Sequence, residues 1–257
     1  MSTEFKWVNK DFNKMYLTCK DDDAVRITIQ NIPTKKSKIL EAGSGSGRVV
    51  KYLYDLGYKN TEGIELNKEA IRHFNKKYPY IKNIQGDILN MPYRANSFDV
   101  IATYGVVEHF LPGIEQPLIA LKKILKKNGL LIVTVPSLNY IRYVVYIKDM
   151  IKDSLHFWGK INRNKGVYYV HPQFGEFFEY RLTPNEFRIG CINAGYKIVS
   201  EQPIYHMDGL YHTFGNKLVK YINYIFYPNI IGTILNNFLT AVPYAHNHMH
   251  LIVLKKS

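Results

Sequence analysis

A glycine-rich loop separates an apolar run from a helical pattern in the stretch ILEAGSGSGRVVKYL, residues 39–53. Such loops often hold a phosphate or another polar ligand, because glycine lets the backbone approach it closely. A dinucleotide fingerprint would need glycine where the chain has Arg48, and a phosphate-binding P-loop would need a Gly-Lys pair that is absent here. The stretch therefore predicts a strand–turn–helix unit that holds a different ligand, or a tight turn with no ligand.

Apolar runs and helical patterns alternate along the chain from residue 38 to residue 135. Strands separated by helices favour parallel βαβ units and a doubly wound α/β sheet. Further on, Thr183, Pro184 and Glu186 form a capping-box signature that predicts another helix. The predicted strands are 38–42, 60–66, 80–86, 98–104, 130–136, 196–202 and 248–256, and the predicted helices include 48–56, 67–77 and 114–127, the last of which stops before Asn128.

Two irregular, aromatic-rich segments interrupt the pattern, at about 137–181 and 203–247. Both leave the sheet at the carboxyl ends of strands, where open α/β sheets bind their ligands, so we expect them to form lid insertions over the site. They belong to a main domain over 38–257, and residues 1–37 are predicted to form an N-terminal helical flap. The predicted lid residues that approach the substrate are Tyr140, Tyr143, Trp158, His171, Tyr205, His246 and His248.

The aromatic content of these segments favours a small substrate that is apolar, aromatic or lipid-linked. The same aromatics would also fit a core inside the lid or a dimer contact, and the oligomeric state stays open. Within the second segment, residues 221–242 are apolar but contain Pro228 and Gly232, which disfavours a membrane-spanning helix. A peripheral contact with a membrane surface remains an alternative for this stretch.

The composition bears on partners and compartment. A total of 34 Lys and Arg against 21 Asp and Glu gives a net charge of +13, which invites a nucleic-acid partner. We disfavour that partner, because most of the excess positive charge comes from lysine. Arginine, which is the residue suited to bidentate phosphate contacts, is scarce. Cys19 and Cys191 form neither a CxxC pair nor a disulfide framework, so we expect a cytoplasmic protein.

Acidic residues follow the second and third predicted strands. Glu65 ends the second strand, and Asp87 follows the third strand directly before Ile88. A carboxylate at the tip of the second strand is placed to accept hydrogen bonds from both ribose hydroxyls of an adenosine. Asp87 could accept from the adenine amino group while Ile88 packs on the ring. Together with the glycine loop, these strand ends predict a site for an adenosine-containing cofactor.

These motifs, in this order, resemble those of the class I S-adenosylmethionine-dependent methyltransferases of the small-molecule type. EAGSGSG resembles their first motif, GIELN their acidic ribose motif and QGDILNMPY their adenine motif. SFDVIATYGVVEHF and LKKNGLLIVTVPS resemble the motifs of the fourth and fifth strands. The resemblance implies a seven-stranded, mainly parallel sheet of order 3-2-1-4-5-7-6 with an antiparallel seventh strand, and S-adenosyl-L-methionine as the cofactor.

The resemblance also assigns roles to single residues. It implies that the first motif lines the methionine and ribose portions of the cofactor, and that the second and third motifs contact its ribose and adenine. Residues just past the fourth strand would lie near its amino acid end. The implied cofactor-binding residues are Glu41, Gly43, Ser44, Gly45, Gly47, Glu65, Leu66, Asp87, Ile88, Thr103 and Tyr104.

Glu108 and His109, after the fourth strand, are the candidate catalytic bases nearest the transferred methyl group; alternatively they cap a helix or pack under the cofactor.

The HNHMH sequence forms a second histidine cluster. At the period of a strand, His246, His248 and His250 would share one face, which suits packing, a proton or substrate role, or a metal. We predict no metal, because ligands in a row along one strand rarely converge.

The leading hypothesis is a small-molecule O-, N- or C-methyltransferase that acts by in-line displacement. The first alternative is an RNA or protein methyltransferase, although no Asn-Pro-Pro-Tyr-type motif follows the fourth strand. The second is a non-catalytic partner subunit that keeps the fold. A nicotinamide oxidoreductase is the weakest reading, because Arg48 interrupts its fingerprint.

Overall fold

A computed structural model describes residues 11–144, 159–162, 166–170 and 177–256 of this chain. The strands in this part of the chain are β1 (Ile39–Ala42), β2 (Thr61–Glu65), β3 (Asn83–Gln85), β4 (Phe98–Tyr104), β5 (Leu125–Pro136), β6 (Gly159–Asn162), β7 (Gly166–Val170), β8 (Phe177–Arg181), β9 (Tyr196–Ile204), β10 (Val219–Ile222), β11 (Ile225–Pro228) and β12 (Met249–Lys256). The α-helices with both ends in the described residues are α1 (Phe12–Thr18), α2 (Asp23–Gln30), α3 (Arg48–Asp55), α4 (Lys68–Lys77), α5 (Glu115–Ile124), α6 (Pro184–Asn193), α7 (His206–Phe214) and α8 (Ile230–Thr240).

The central sheet has seven strands in the order β3-β2-β1-β4-β5-β12-β9. Neighbouring strands are parallel from β3 to β5, and β12 runs antiparallel to both β5 and β9. Because β9 and β12 are the sixth and seventh strands of this sheet along the chain, the predicted fold class and strand order are confirmed. The parallel arrangement brings the carboxyl ends of β1, β2 and β4 to one edge of the sheet.

Alternate residues of the inner strands pack on opposite faces of the sheet. Leu40 and Ile101 belong to the core that contains α5 and α6, whereas Ile39 and Val100 belong to the core that contains α2 and α3. This is the period-two alternation of a strand that is buried on both faces. The helix starts also follow the sequence: Asn67 caps α4, and Thr183 with Glu186 forms a full capping box on α6.

The predicted end of the helix over residues 114–127 is wrong. Helix α5 ends at Ile124 and β5 begins at Leu125, so the predicted helical residues up to 127 are extended. Leu125 is fully buried and pairs with Phe98 of β4, and Lys126 forms an ion pair with Asp99 at 2.8 Å. These tertiary contacts override the local stop signal at Asn128–Gly129.

The description of the two insertions as irregular is also wrong. The first contains β6, β7 and β8, which form a three-stranded antiparallel sheet, and the second contains α7, the hairpin β10–β11 and α8. At the hairpin tip, Asn223 and Tyr224 have φ of 52° and 66°, as a two-residue turn of the left-handed kind requires. Tyrosine rarely adopts this conformation, so the sequence did not mark the turn.

Candidate active site

The glycine loop after β1 folds into consecutive left-handed turns. Gly43, Gly45 and Gly47 have φ of 81°, 54° and 78°, values that side chains with a Cβ rarely adopt. At Gly43 the fit is tight as well, because an added Cβ would lie 2.4 Å from a methyl carbon of Val106. The loop therefore presents bare backbone to the space beside it.

That space, the loop cavity, has a volume of about 380 Å³ and lies at the carboxyl edge of β1, β2 and β4. It brings together side chains from four separate motifs of the sequence. The predicted residues that line it are Glu41, Gly43, Ser44, Gly45, Glu65, Leu66, Asp87, Ile88, Tyr104, Glu108, His109 and His248.

Glu65 connects the end of β2 to the glycine loop. One carboxylate oxygen accepts from the Gly45 amide at 2.8 Å, and the other accepts from the Asn67 amide at 3.0 Å. These bonds fix the carboxylate at the cavity wall. Farther along, Asp87 accepts from the Leu89 amide at 2.9 Å, while Ile88 is largely buried and adds an apolar surface.

Glu41 lies on the floor of the cavity and is almost fully buried. It accepts from the Val50 amide at 3.1 Å. Burial raises the pKa of this carboxyl to about 8, although nearby Arg48 and the Val50 amide act in the opposite direction. The side chain is therefore mostly neutral at pH 7, and a cation in the cavity would favour its ionised form.

Glu108 and His109 lie in a short 3₁₀ turn, Val107–His109, at the opposite wall. Glu108 is buried, its Oε2 has no hydrogen-bond partner among the described residues, and burial raises its pKa well above the usual range. His109 contacts the Phe178 carbonyl through Nδ1 at 2.7 Å. A carbonyl only accepts, so Nδ1 carries the hydrogen and neutral His109 keeps a lone pair on Nε2.

Two predicted cofactor-binding residues lie outside the lining of the cavity. Gly47 is the N-cap of α3, and its missing Cβ makes room for the Phe74 ring, which would otherwise lie 2.2 Å away. Thr103 is fully buried within β4, and its neighbour Tyr104 reaches the cavity instead. Both residues therefore support the wall of the cavity and do not line it themselves.

The predicted lid residues are dispersed. Tyr140 and Tyr143 are 57% and 46% exposed and do not line the loop cavity, and Tyr205 lines a neighbouring cavity. Trp158 and His171 lie outside the described residues.

The prediction that the three histidines of HNHMH share one strand face is wrong. Strand β12 begins only at Met249, and each histidine enters a different environment. His246 is buried against His206, His248 stacks on His212 with 4.5 Å between ring centroids, and His250 packs on Phe187. The Asn247 side chain donates to the Met249 carbonyl at 2.8 Å, and His246 and His248 precede the strand, so the alternation does not extend to them.

His248 also meets Asp208 and His212, and the three side chains could together surround a metal ion. The Arg142 guanidinium, however, lies 2.7 Å from His248 Nδ1 and can only donate to it. Neutral His248 therefore carries its hydrogen on Nε2, the atom that faces Asp208 and that a metal would need. Burial, with Arg142 nearby, lowers the pKa of His248 to about 3, so it stays neutral.

Sequence reasoning missed a polar network beside the loop cavity. Arg48 binds Asp22 at 2.8 Å, and the Tyr205 hydroxyl donates to the same carboxylate at 2.6 Å. In this way the start of α3 is joined to the N-terminal segment and to the start of α7. The signal in the sequence is the position of Arg48 directly after the third glycine, where it also interrupts a dinucleotide fingerprint.

A family described as "Methyltransferase domain" matches residues 40–133, which include the glycine loop, Glu65, Asp87 and Glu108. An uncharacterized protein of Methanocaldococcus jannaschii is 26% identical over 139 residues. That match covers 51% of this chain and 57% of the relative, so the chain spans little more than half the length of that protein.

Solved structures of low sequence identity share the fold. A SAM-dependent methyltransferase from Aquifex aeolicus has a TM-score of 0.56 at 12% identity and covers 99% of this chain and 100% of its own. One from Methanosarcina mazei has a TM-score of 0.53 at 16% identity, with 89% and 96% covered. The [4+2]-cyclase SpnF has a TM-score of 0.57 at 10% identity, with 91% and 79% covered. Residues 40–133 therefore match a methyltransferase domain, and the chain has the Rossmann-like fold that the class I S-adenosylmethionine-dependent methyltransferases share.

Proposed function

We propose that the chain transfers a methyl group from S-adenosylmethionine to a small acceptor that is apolar, aromatic or lipid-linked. The supporting observation is that the glycine loop, Glu65 and Asp87 surround one cavity at the carboxyl edge of the sheet. In this arrangement Glu65 would accept from the ribose hydroxyls and Asp87 from the adenine amino group. Ile88 and Leu66 would pack against the adenine ring.

Neutral Glu41 fits the amino acid end of the cofactor. The ligand carries an ammonium and a sulfonium, and a buried carboxyl beside such a cation gains a partner when it ionises. A phosphate in the same place would meet this carboxyl group, and Arg48, the cation that also lines the cavity, is already paired with Asp22 at 2.8 Å. The donor set therefore favours S-adenosylmethionine over a nucleotide phosphate at this loop.

Bound S-adenosylmethionine supplies an activated methyl group, so the residues of the chain have to align the acceptor, exclude water and receive a proton where the acceptor carries one. We assign the proton to His109 Nε2, which has a free lone pair in the tautomer fixed by the Phe178 carbonyl. Glu108, kept neutral by burial, would donate a hydrogen bond to the acceptor.

The cavity wall near these two residues supports an apolar or aromatic acceptor. Phe110, Pro136, Phe178 and Met249 line it.

We place the protein in the cytoplasm, which is supported by the free, buried thiols of Cys19 and Cys191. In the described part of the chain, every helix is too short or too polar to cross a bilayer. We also propose that the protein contacts a membrane surface peripherally.

The cofactor assignment is tested by Asp87→Ala. Loss of the carboxylate should weaken binding of S-adenosylhomocysteine by about 1–3 kcal/mol, because the adenine amino group loses a charged acceptor. Titration calorimetry measures the affinity, and transfer of labelled methyl to a panel of aromatic and lipid acceptors measures activity. Asp99→Ala is the control, because Asp99 also accepts a backbone amide, that of Lys38 at 2.8 Å, but lies outside the cavity lining. Equal affinities of the two variants would contradict the adenine assignment, and binding without transfer would support the non-catalytic alternative.

Cofactor binding is also expected to release a proton from Glu41. The free protein holds this carboxyl mostly protonated at pH 7, because its pKa is raised to about 8. The bound ammonium lowers that pKa, so affinity should rise with pH from 6 through about 8 and level off above it, where Glu41 is ionised in the free protein as well. Calorimetry in buffers of different ionisation enthalpy counts the proton. Glu41→Gln should bind without this release, and an equal release from both proteins would show that another group titrates.

A further inference from the structure

The hairpin β10–β11 and α8 together present a large apolar surface, which we call the hairpin–helix face. On the hairpin, Ile222, Ile225 and Tyr227 are each about half exposed. Along α8 the exposure is greater, with 80% for Ile230, 65% for Ile231 and Ile234, and 71% for Phe238. Isolated exposed apolar side chains are common, but a continuous series of large ones marks an interaction site.

Helix α8 exposes much of its large apolar surface to solvent. Its only buried residue is Gly232, which approaches the Leu218 carbonyl so closely that an added Cβ would lie 2.5 Å from the oxygen. On the same protein side, Asn236 bonds to His246 at 3.0 Å. Gly232, Leu235, Asn236 and Leu239 thus lie on the protein side. Ile230, Ile234 and Phe238, four residues apart, form a stripe toward solvent.

The segment that forms this face carries charge of one sign, although Asp21 and Asp208 line the cavity beside the hairpin. From residue 209 to residue 256 the sequence contains no Asp and no Glu, while Lys217 and Lys220 lie at the start of the hairpin. The whole chain carries a net charge of +13. No carboxylate in this segment therefore opposes the approach of an anionic surface, and the lysines would attract one.

We propose that the hairpin–helix face docks on an anionic lipid bilayer, with α8 lying in the membrane interface. With eleven residues, α8 is about 16 Å long, too short to span a bilayer but suited to lie along its surface. Its exposed isoleucines and phenylalanine enter the acyl boundary, and Lys217 and Lys220 meet the lipid headgroups. A second copy of the chain fits less well, because an isologous contact would bring these lysines together with no acidic residue from 209 to 256 to pair with them.

A second cavity opens beside this face. It has a volume of about 1150 Å³ and is lined by Leu17 of α1 and by Ile225, Tyr221 and Phe226 of the hairpin. Arg48 lines both this cavity and the loop cavity. An amphiphilic acceptor leaving the bilayer at Ile225 would thus have a passage toward the cofactor site with apolar side chains from the hairpin and charged ones from Asp22, Asp208 and Arg48. This passage rests on the proposed function, whereas the docking itself does not.

The test is co-sedimentation of the full chain with vesicles of phosphatidylcholine alone and of phosphatidylcholine mixed with phosphatidylglycerol. We expect binding to the anionic vesicles that weakens with added salt. Ile234→Asp and Phe238→Asp should each lower the partition coefficient at least tenfold. Ile192→Asp is the matched control, because Ile192 of α6 is 57% exposed but lies away from the hairpin–helix face. Circular dichroism and S-adenosylhomocysteine affinity should be unchanged in all three.

Two results would overturn the docking proposal. One is equal vesicle binding by wild type and both α8 variants. The other is a dimeric wild type that fails to bind vesicles and becomes monomeric on Ile234→Asp, which would assign the face to a second copy. Vesicle binding is measured without methyl transfer, so loss of cofactor binding with intact docking would contradict only the proposed function.

Discussion

Gly209→Ala is expected to lower the free energy of unfolding by about 3 kcal/mol or more, the largest stability effect among the single changes considered. Gly209 lies in α7, where an added Cβ would lie 1.6 Å from the His246 carbonyl oxygen and 2.9 Å from the Asn247 carbonyl carbon. These are backbone atoms, so no side-chain rotation relieves the overlap, and α7 has to move away from the segment before β12. In a chain of this size the loss corresponds to a fall of roughly 6–12 °C in Tm.

Thermal unfolding followed by circular dichroism measures this effect. Gly215→Ala provides the comparison, because Gly215 ends α7 with nothing within 4 Å of an added Cβ and has φ of 62°. It should cost only the backbone strain of a φ/ψ region that is nearly confined to glycine, about 1–3 kcal/mol, and therefore less than Gly209→Ala. If the two variants unfold at the same temperature, α7 does not pack on residues 246 and 247 in the manner described.

Gly43→Ala is expected to weaken S-adenosylhomocysteine binding at least tenfold. The change adds backbone strain at φ of 81° and drives a methyl group against Val106, whose side chain lines the loop cavity. Displacement of Val106 into the cavity removes space that the cofactor needs. Calorimetric titration of the variant gives the affinity, and the Tm shows whether the fold persists.

A second change separates strain from overlap. Val106→Ala in the Gly43→Ala background should restore part of the affinity, because it removes the overlap and leaves only the strained φ. Gly57→Ala carries similar strain at φ of 94° but meets only Lys35 at 3.9 Å, so its affinity should match that of wild type. Absence of rescue by Val106→Ala would place the defect in the loop backbone alone.

The sheet was predictable because each of its signals is local. The glycines after β1, the acids after β2 and β3 and the capping box of α6 depend on neighbouring residues, and parallel strands then bring their ends to one edge. Glu65 and Asp87 consequently meet at the loop cavity as predicted by the spacing of their motifs. The family match of residues 40–133 covers this same part of the chain.

The insertions and the histidines could not be predicted in the same way. Leu125 becomes extended because it pairs with Phe98, which lies far away in the sequence. The hairpin tip places Tyr224 in a left-handed conformation that its residue type disfavours, while its hydroxyl accepts from the Asp11 amide at 3.3 Å. The three histidines separate because β12 begins only at Met249, after His246 and His248. Each outcome depends on a tertiary contact that no local pattern records.

The carboxylate of Asp22 has a consequence for turnover. It is shared by Arg48 of α3 and Tyr205 at the start of α7, so three segments remote in sequence meet at one point beside the glycine loop. If a bound molecule is exchanged only when the N-terminal segment moves away, that movement must break both bonds at once. The residence time of the spent cofactor would then be governed by this three-way junction and not by the contacts to its adenine.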